Sequence, residues 1–149
     1  MNLEIGKPAP AFQSVNQNNE TISLSDFKGK KVVLYFYPKD DTPGCTAEAC
    51  SLRDNYLALQ EQGYVVLGVS PDTASKHKKF IDKYSLPFDL LADTDNTIAL
   101  AYGVWVEKSM YGRKYMGIAR TTFLINEEGL LSEIIEKVDT KNHATQILS

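Results

Sequence analysis

Two residues dominate a chemical reading of this 149-residue chain: Cys45 and Cys50, its only cysteines. They stand five positions apart in PKDDTPGCTAEAC, Pro38 to Cys50, at the turn from a loop into a helix. A thiol can pack as a small apolar group, ligate a metal, pair as a disulfide or, once ionised, attack an electrophile. Zinc needs three or four ligands, and His77 and His143 lie far from the pair with no finger spacing. The absence of C-x-x-C weakens a plain dithiol oxidoreductase reading. The position favours a reactive thiol. In open α/β sheets sites form at the carboxyl ends of strands, and the N–H groups and partial positive charge of a helix N-terminus favour a thiolate. A thiol with a pKa of about 8.5 is about 3% ionised at pH 7, whereas one lowered to about 6 is about 90% thiolate, a roughly thirtyfold gain.

Helix geometry then separates the two sulfurs. Cys45, Ala49, Leu52, Tyr56 and Leu59 recur at spacings of four and three and form one stripe toward a core. Cys50 lies about 140° around the helix and about 7.5 Å along it, so the Cα atoms are about 8.7 Å apart. Disulfides rarely span more than about 7 Å. The two residues can therefore pair only if the first turns of the helix unwind, and helix ends open most readily.

The elements that must position these thiols can be read from pattern. Phe12–Val15 and Thr21–Leu24 flank the polar NQNNE as a small hairpin. KKVVLYFYP is a β-branched and aromatic run without alternation, as in a strand buried on both faces, and it ends at Pro38. A helix is predicted from about Thr46 to Gln62, closed by Gly63. YVVLGVS is a second buried strand, and a helix beginning at SPD runs to about Tyr84. Phe88–Ala92 is a short strand, and a short helix covers Asp95 to Ala101. TTFLIN and LLSEIIEKV, separated by EEG, form a hairpin, and a last helix begins near Asp139. The order predicts an α/β fold, a mixed central sheet flanked by helices with an N-terminal β-hairpin, compatible with a thioredoxin-like sandwich.

The totals set outer limits. With 43% hydrophobic and 23% charged residues, the chain has the makings of one ordinary globular domain over 1–149. A net charge of −3 argues against a nucleic-acid surface. The longest apolar run, Val32 to Tyr37, is too short to span a bilayer. MNLEIGKPAPAF has neither the basic start nor the apolar stretch of a secretory signal. Sparing use of cysteine points to a reducing cytoplasm, where such a pair is catalytic or metal-binding more often than structural.

With these residues in view, YFYPKDDTPGCTAEAC is similar to the Pro-x-x-x-Thr-x-x-Cys signature of peroxiredoxins, carried by Pro38, Thr42 and Cys45. With Cys50 five residues on, it resembles the bacterioferritin comigratory protein (PrxQ) branch of the atypical two-cysteine type. The resemblance continues through GVSPD, KYSLPFDLLAD, YGVW and GIARTTFLIN, nearly the whole chain. It implies a thioredoxin-fold thiol peroxidase acting on hydrogen peroxide and organic hydroperoxides, without metal, haem or flavin. Cys45 would be the peroxidatic cysteine and Cys50 the resolving one in the same chain. Thr42 and Arg120 match the active-site threonine and arginine, Pro38 the loop proline. Thioredoxin or a similar dithiol protein is the implied reductant, and a monomer, or at most a weak dimer, the implied state. Without the resemblance, Arg120 reads as a solvated strand-edge residue and Thr42 as a turn hydroxyl. His77 reads as a packed histidine, Tyr37 and Trp105 as packing residues, and Lys39, Asp40 and Asp41 as a solvated loop. A protein thiol–disulfide oxidoreductase and a redox-sensing switch are the competing functions for the same cysteine pair.

Overall fold

The computed structural model describes residues 3–148. The chain opens with a hairpin of β1 (Gln13–Val15) and β2 (Thr21–Ser23). Asn16 shapes its turn, its side-chain oxygen accepting from the amides of Asn18 and Glu20 in the manner of an Asx turn. A 3₁₀ turn at Leu24–Phe27 leads into β3 (Lys31–Phe36). Helices α1 (Pro43–Asp54) and α2 (Tyr56–Glu61) precede β4 (Tyr64–Ser70), and α3 (Ala74–Tyr84) precedes β5 (Asp89–Ala92). The short α4 (Thr97–Ala101) is followed by β6 (Trp105–Met110), β7 (Arg113–Ile118), β8 (Thr121–Ile125), β9 (Leu131–Ile135) and α5 (His143–Leu148).

The central sheet has the order β5-β4-β3-β8-β9. β3 runs parallel to β4 and β4 to β5, whereas β8 is antiparallel to both β3 and β9. This is the expected mixed sheet of a thioredoxin-like fold. Because successive side chains alternate, β3 feeds two cores. Val32, Leu34 and Phe36 face one with Tyr102, Phe123 and Leu131. Val33, Tyr35 and Tyr37 face the other with Cys45, Ala49, Leu52 and Ile147. Full burial of each such large side chain contributes about 1.5–3 kcal/mol. Among the described residues no helix is long and apolar enough to cross a membrane.

The predicted helix Thr46–Gln62 differs in both start and continuity. It begins at Pro43, where a proline needs no N–H partner and has φ already set for a helix. It breaks at Asn55 (φ −116°, ψ 17°), whose side chain donates to the Ser51 carbonyl at 2.8 Å and so competes with the helical ladder. The helix after Ser70 starts later than predicted, with Thr73 as N-cap accepting from Lys76 N. The β6–β7 hairpin carries no signal in the sequence reading. Its turn is Tyr111-Gly112, both at positive φ (52° and 79°), a conformation glycine favours and tyrosine does not advertise.

Candidate active site

Everything around Cys45 follows from how β3 ends. Tyr37 extends the pairing by one bond, its N–H donating to Val69 O at 3.1 Å, and half-buried Pro38 then turns the chain outward. Of the next three residues Lys39 and Asp41 are exposed, as their charges suggest, but Asp40 is not. Asp40 is 6% exposed and lies 2.7 Å from His77 Nδ1. It also accepts from the Tyr37 hydroxyl, and its amide donates to Asp72 Oδ2 at 2.8 Å. Asp41, in the left-handed region (φ 59°), accepts from Lys83 Nζ and the Tyr84 hydroxyl at 2.8 and 2.9 Å. The loop is thus tied to α3 before it delivers the chain to α1. The tie defies prediction because its partners are more than thirty residues away in sequence.

Thr42 is the N-cap of α1, but its side chain does not cap the helix. Its hydroxyl donates instead to Lys39 O at 2.9 Å, which leaves its lone pairs free to accept. Pro43 has no N–H, and Thr46 N bonds Thr42 O at 2.8 Å. The amides of Gly44 and Cys45 therefore remain as uncapped first-turn donors. Cys45, 2% exposed, sits in the third position of the helix with its stripe of Ala49, Leu52 and Leu59 fully buried. Cys50, on the same helix, is half-buried, and both thiols are free. The structure holds both cysteines on one intact helix and joins neither Thr42 nor Pro38 to Cys45 by a hydrogen bond.

Arg120 is the residue that tertiary structure brings to the thiol. It lies between β7 and β8, where Ala119 N donates to Val104 O at 2.8 Å. Its side chain is 23% exposed, not a solvated edge. Nη2 donates to Cys45 Sγ at 3.2 Å and Nη1 to Glu48 Oε1 at 2.7 Å. Burial works against its charge, but Glu48 and Cys45 hold it protonated above the usual arginine range. Gly44 makes the approach possible: a Cβ there would lie 3.2 Å from Nη2.

Glu48 is absent from the sequence reading, although it carried a signal. It is three residues after Cys45 on the helix, a carboxylate set into an otherwise apolar stripe. It is fully buried, and burial, only partly offset by Arg120, pushes its carboxyl up to about 7. His143 on α5 is also fully buried, and burial lowers its proton affinity. Its Nε2 lies 2.7 Å from Thr122 Oγ1 and 3.4 Å from Glu48 Oε2. No local pattern could have placed His143 here, ninety-five residues beyond Glu48. The other histidine, His77, and Tyr37 are packed as expected, while Trp105 is half-buried against the first core.

A guanidinium and a helix N-terminus converging on a buried thiol can stabilise a thiolate and the charge that develops on an oxygen leaving it. Known proteins carry the same arrangement of chain. The model of the AhpC/TSA family matches residues 5–134. Peroxiredoxin Bcp of Bacillus subtilis is 49% identical over 99% of this chain and 94% of its own length, and peroxiredoxin Bcp of Escherichia coli K12 is 43% identical over 99% and 94%. The bacterioferritin comigratory protein of Xanthomonas campestris, described for its alkyl peroxide reduction activity, superposes with a TM-score of 0.90 at 33% identity, covering 97% of this chain and 95% of that one. A cysteine-to-serine mutant of Xylella fastidiosa PrxQ superposes with a TM-score of 0.92 at 32% identity, covering 99% and 94%.

Proposed function

Since this chain belongs to the AhpC/TSA family, as a thiol-dependent peroxidase of the Bcp (PrxQ) peroxiredoxins, we propose that Cys45 is its attacking sulfur and Cys50 the sulfur that resolves it. The observation that carries this reading is the Arg120 donor 3.2 Å from Cys45 Sγ at an uncapped helix start. The thiolate attacks the terminal oxygen of a hydroperoxide; the S–O bond forms, the O–O bond breaks and an alkoxide or hydroxide leaves. Arg120, permanently charged and with a planar fork of donors, meets the developing charge better than lysine would. The Thr42 hydroxyl, already donating to Lys39 O, accepts a hydrogen bond from the peroxide O–H and so orients the substrate. Pro38 gives the loop a fixed φ and no competing N–H.

Cys45 is then a sulfenic acid, and its condensation with Cys50 expels water and forms a disulfide. Both residues lie within Pro43–Asp54, so that helix must open first. Ties from this helix to its surroundings resist the opening: Glu48 to Arg120, Arg53 to Tyr84 O, and Ser51 Oγ to Ala144 N. Thioredoxin or a similar dithiol protein returns the disulfide to thiols. Hydrogen peroxide and organic hydroperoxides are the substrates, the latter supported by the alkyl peroxide reduction described for the X. campestris relative. The chain works as a single catalytic domain in the cytoplasm. It works as a monomer, since resolution within one chain needs no second copy.

The test is peroxide-driven oxidation of thioredoxin by the native chain, Cys45→Ser and Cys50→Ser. Cys45→Ser abolishes it, and Cys50→Ser accumulates sulfenic acid and loses thioredoxin-linked turnover. Robust turnover in Cys45→Ser rejects the assignment of the nucleophile. Arg120→Lys slows attack on peroxide with the fold intact; an unchanged rate removes Arg120 from the mechanism.

A further inference from the structure

The buried carboxylate beside the thiol has an unfinished hydrogen-bond inventory. Glu48 Oε1 accepts from Arg120 Nη1, but Oε2, equally buried, has no hydrogen-bond partner among the described residues. His143 Nε2 lies 3.4 Å from it. The tautomer of His143 follows from its other contacts. Gln146 Nε2 donates to Lys137 O and Gln146 Oε1 accepts from Asp139 N, which fixes the amide with its oxygen toward the ring. His143 Nδ1, 2.8 Å from that oxygen, must carry a proton. Nε2 is then a lone pair, satisfied by the Thr122 hydroxyl at 2.7 Å. In that state two acceptors, Oε2 and Nε2, face each other with no proton between them. One added proton, on either atom, completes the cluster.

The same guanidinium that holds Glu48 also holds Cys45. If both were ionised, one guanidinium would be hydrogen-bonded to two buried anions, and each would oppose ionisation of the other. We infer that Glu48 and His143 are a positioning pair that holds one proton against the thiolate of Cys45, so that Arg120 balances one anion at a time and the sulfur ionises as the pair takes its proton up. Charge balances: S–H becomes S⁻, and the proton appears on Oε2 or Nε2. The groups facing the pair and the thiol are Arg120 between β7 and β8, Lys108 on β6, Tyr35 on β3, Thr122 on β8, Gln146 on α5 and Asp139 just before it. Of these, Arg120 and Lys108 are cationic, and Arg120 is the one hydrogen-bonded to both Glu48 and Cys45. Burial raises Glu48 and lowers His143, which agrees with a proton held on the carboxyl side of the pair. The inference rests on Cys45 as the attacking sulfur, but its test reads ionisation rather than turnover, so the two fail separately.

The test uses the Cys50→Ser chain, in which Cys45 is the only thiol, and follows thiolate absorbance at 240 nm against pH. Absorbance is expected to rise in two steps, as coupled groups titrate. Adding Glu48→Gln keeps an acceptor for Arg120 but removes the competing charge. The rise then becomes a single step with its midpoint lower by a pH unit or more, a tenfold larger thiolate fraction at low pH. A carboxylate that merely steadied Arg120 predicts the opposite sign. A smaller displacement, none, or an upward one overturns the inference. His143→Gln, whose amide N–H can reach Oε2 but cannot hold the proton, keeps Glu48 ionised and moves the midpoint up; no change overturns the role of His143. Should the variants fail to fold, infrared spectroscopy of the Cys50→Ser chain reads the same coupling. Capping Cys45 with iodoacetamide removes one anion, so the protonated-carboxyl band must fade at lower pH than before. A band that stays in place overturns the pairing.

Discussion

The protein contains two buried histidine–carboxylate pairs, and they are built differently. His77 and His143 are both fully buried. His77 Nε2 donates to Leu91 O at 2.9 Å, since a carbonyl can only accept, and Nδ1 meets Asp40 Oδ2 at 2.7 Å. One proton lies between them, and each Asp40 oxygen has a partner: the other takes the Tyr37 hydroxyl. The pair clamps the loop before α1 to α3. Around His143, by contrast, the Glu48 oxygen stands 3.4 Å away without a donor, beside a cation shared with a thiol. A closed inventory of protons makes a strut; an open one makes a group that responds to charge. Buried polar networks carry this dual character because low dielectric magnifies both what is satisfied and what is not.

Breaking the closed pair has the largest expected effect. His77→Leu leaves Asp40 buried without its partner and should cost about 3–5 kcal/mol. Urea denaturation at pH 7 measures this, and a loss under about 1 kcal/mol would mean the loop is held by its other bonds. The open pair is sharpened by pH. The Glu48 carboxyl has an ordinary value of 4.5 and stands at about 7 when folded. Between those values the folded chain binds a proton that the unfolded chain does not, so native stability falls as pH rises from about 4.5 to about 7. The loss is on the order of 3 kcal/mol. Glu48→Gln removes that slope, which denaturation at pH 5 and pH 8 checks; an undiminished slope would assign it to other groups. The smallest effect belongs to a second tie between the helices that carry the open pair. Ser51→Ala deletes the tie from α1 to Ala144 N on α5. It should cost about 1 kcal/mol and, by easing the opening of α1, speed disulfide formation after peroxide. Slower disulfide formation would show that α5 does not restrain the helix.

Much of this site was legible because its logic is local. The spacing of Cys45 and Cys50 separates their Cα atoms on any helix. The strand end, the turn residues and the apolar stripe Cys45–Ala49–Leu52–Leu59 follow from period and composition. Pro43 at the first helical position is an equally local signal, and the helix begins there, three residues before Thr46. Asn55 was a weak break, since an asparagine interrupts a helix only where its side chain finds a backbone carbonyl. The hairpin Trp105–Ile118 stayed hidden behind a tyrosine at positive φ.

What sequence alone determined about this protein is that its two thiols share one helix start at a Cα separation no disulfide spans, because that depends on residues a few positions apart; the roles proposed for them come from the family resemblance. Arg120 could be named only by family resemblance, and its bonds to Sγ and Glu48 came from the fold. Tertiary structure decided that Glu48 is buried, that His143 arrives from α5 to face it, and that Asp40 is locked to His77. Each of these pairs spans more than thirty residues, and at that distance the value of a charge is set by what the sheet and helices fold against it.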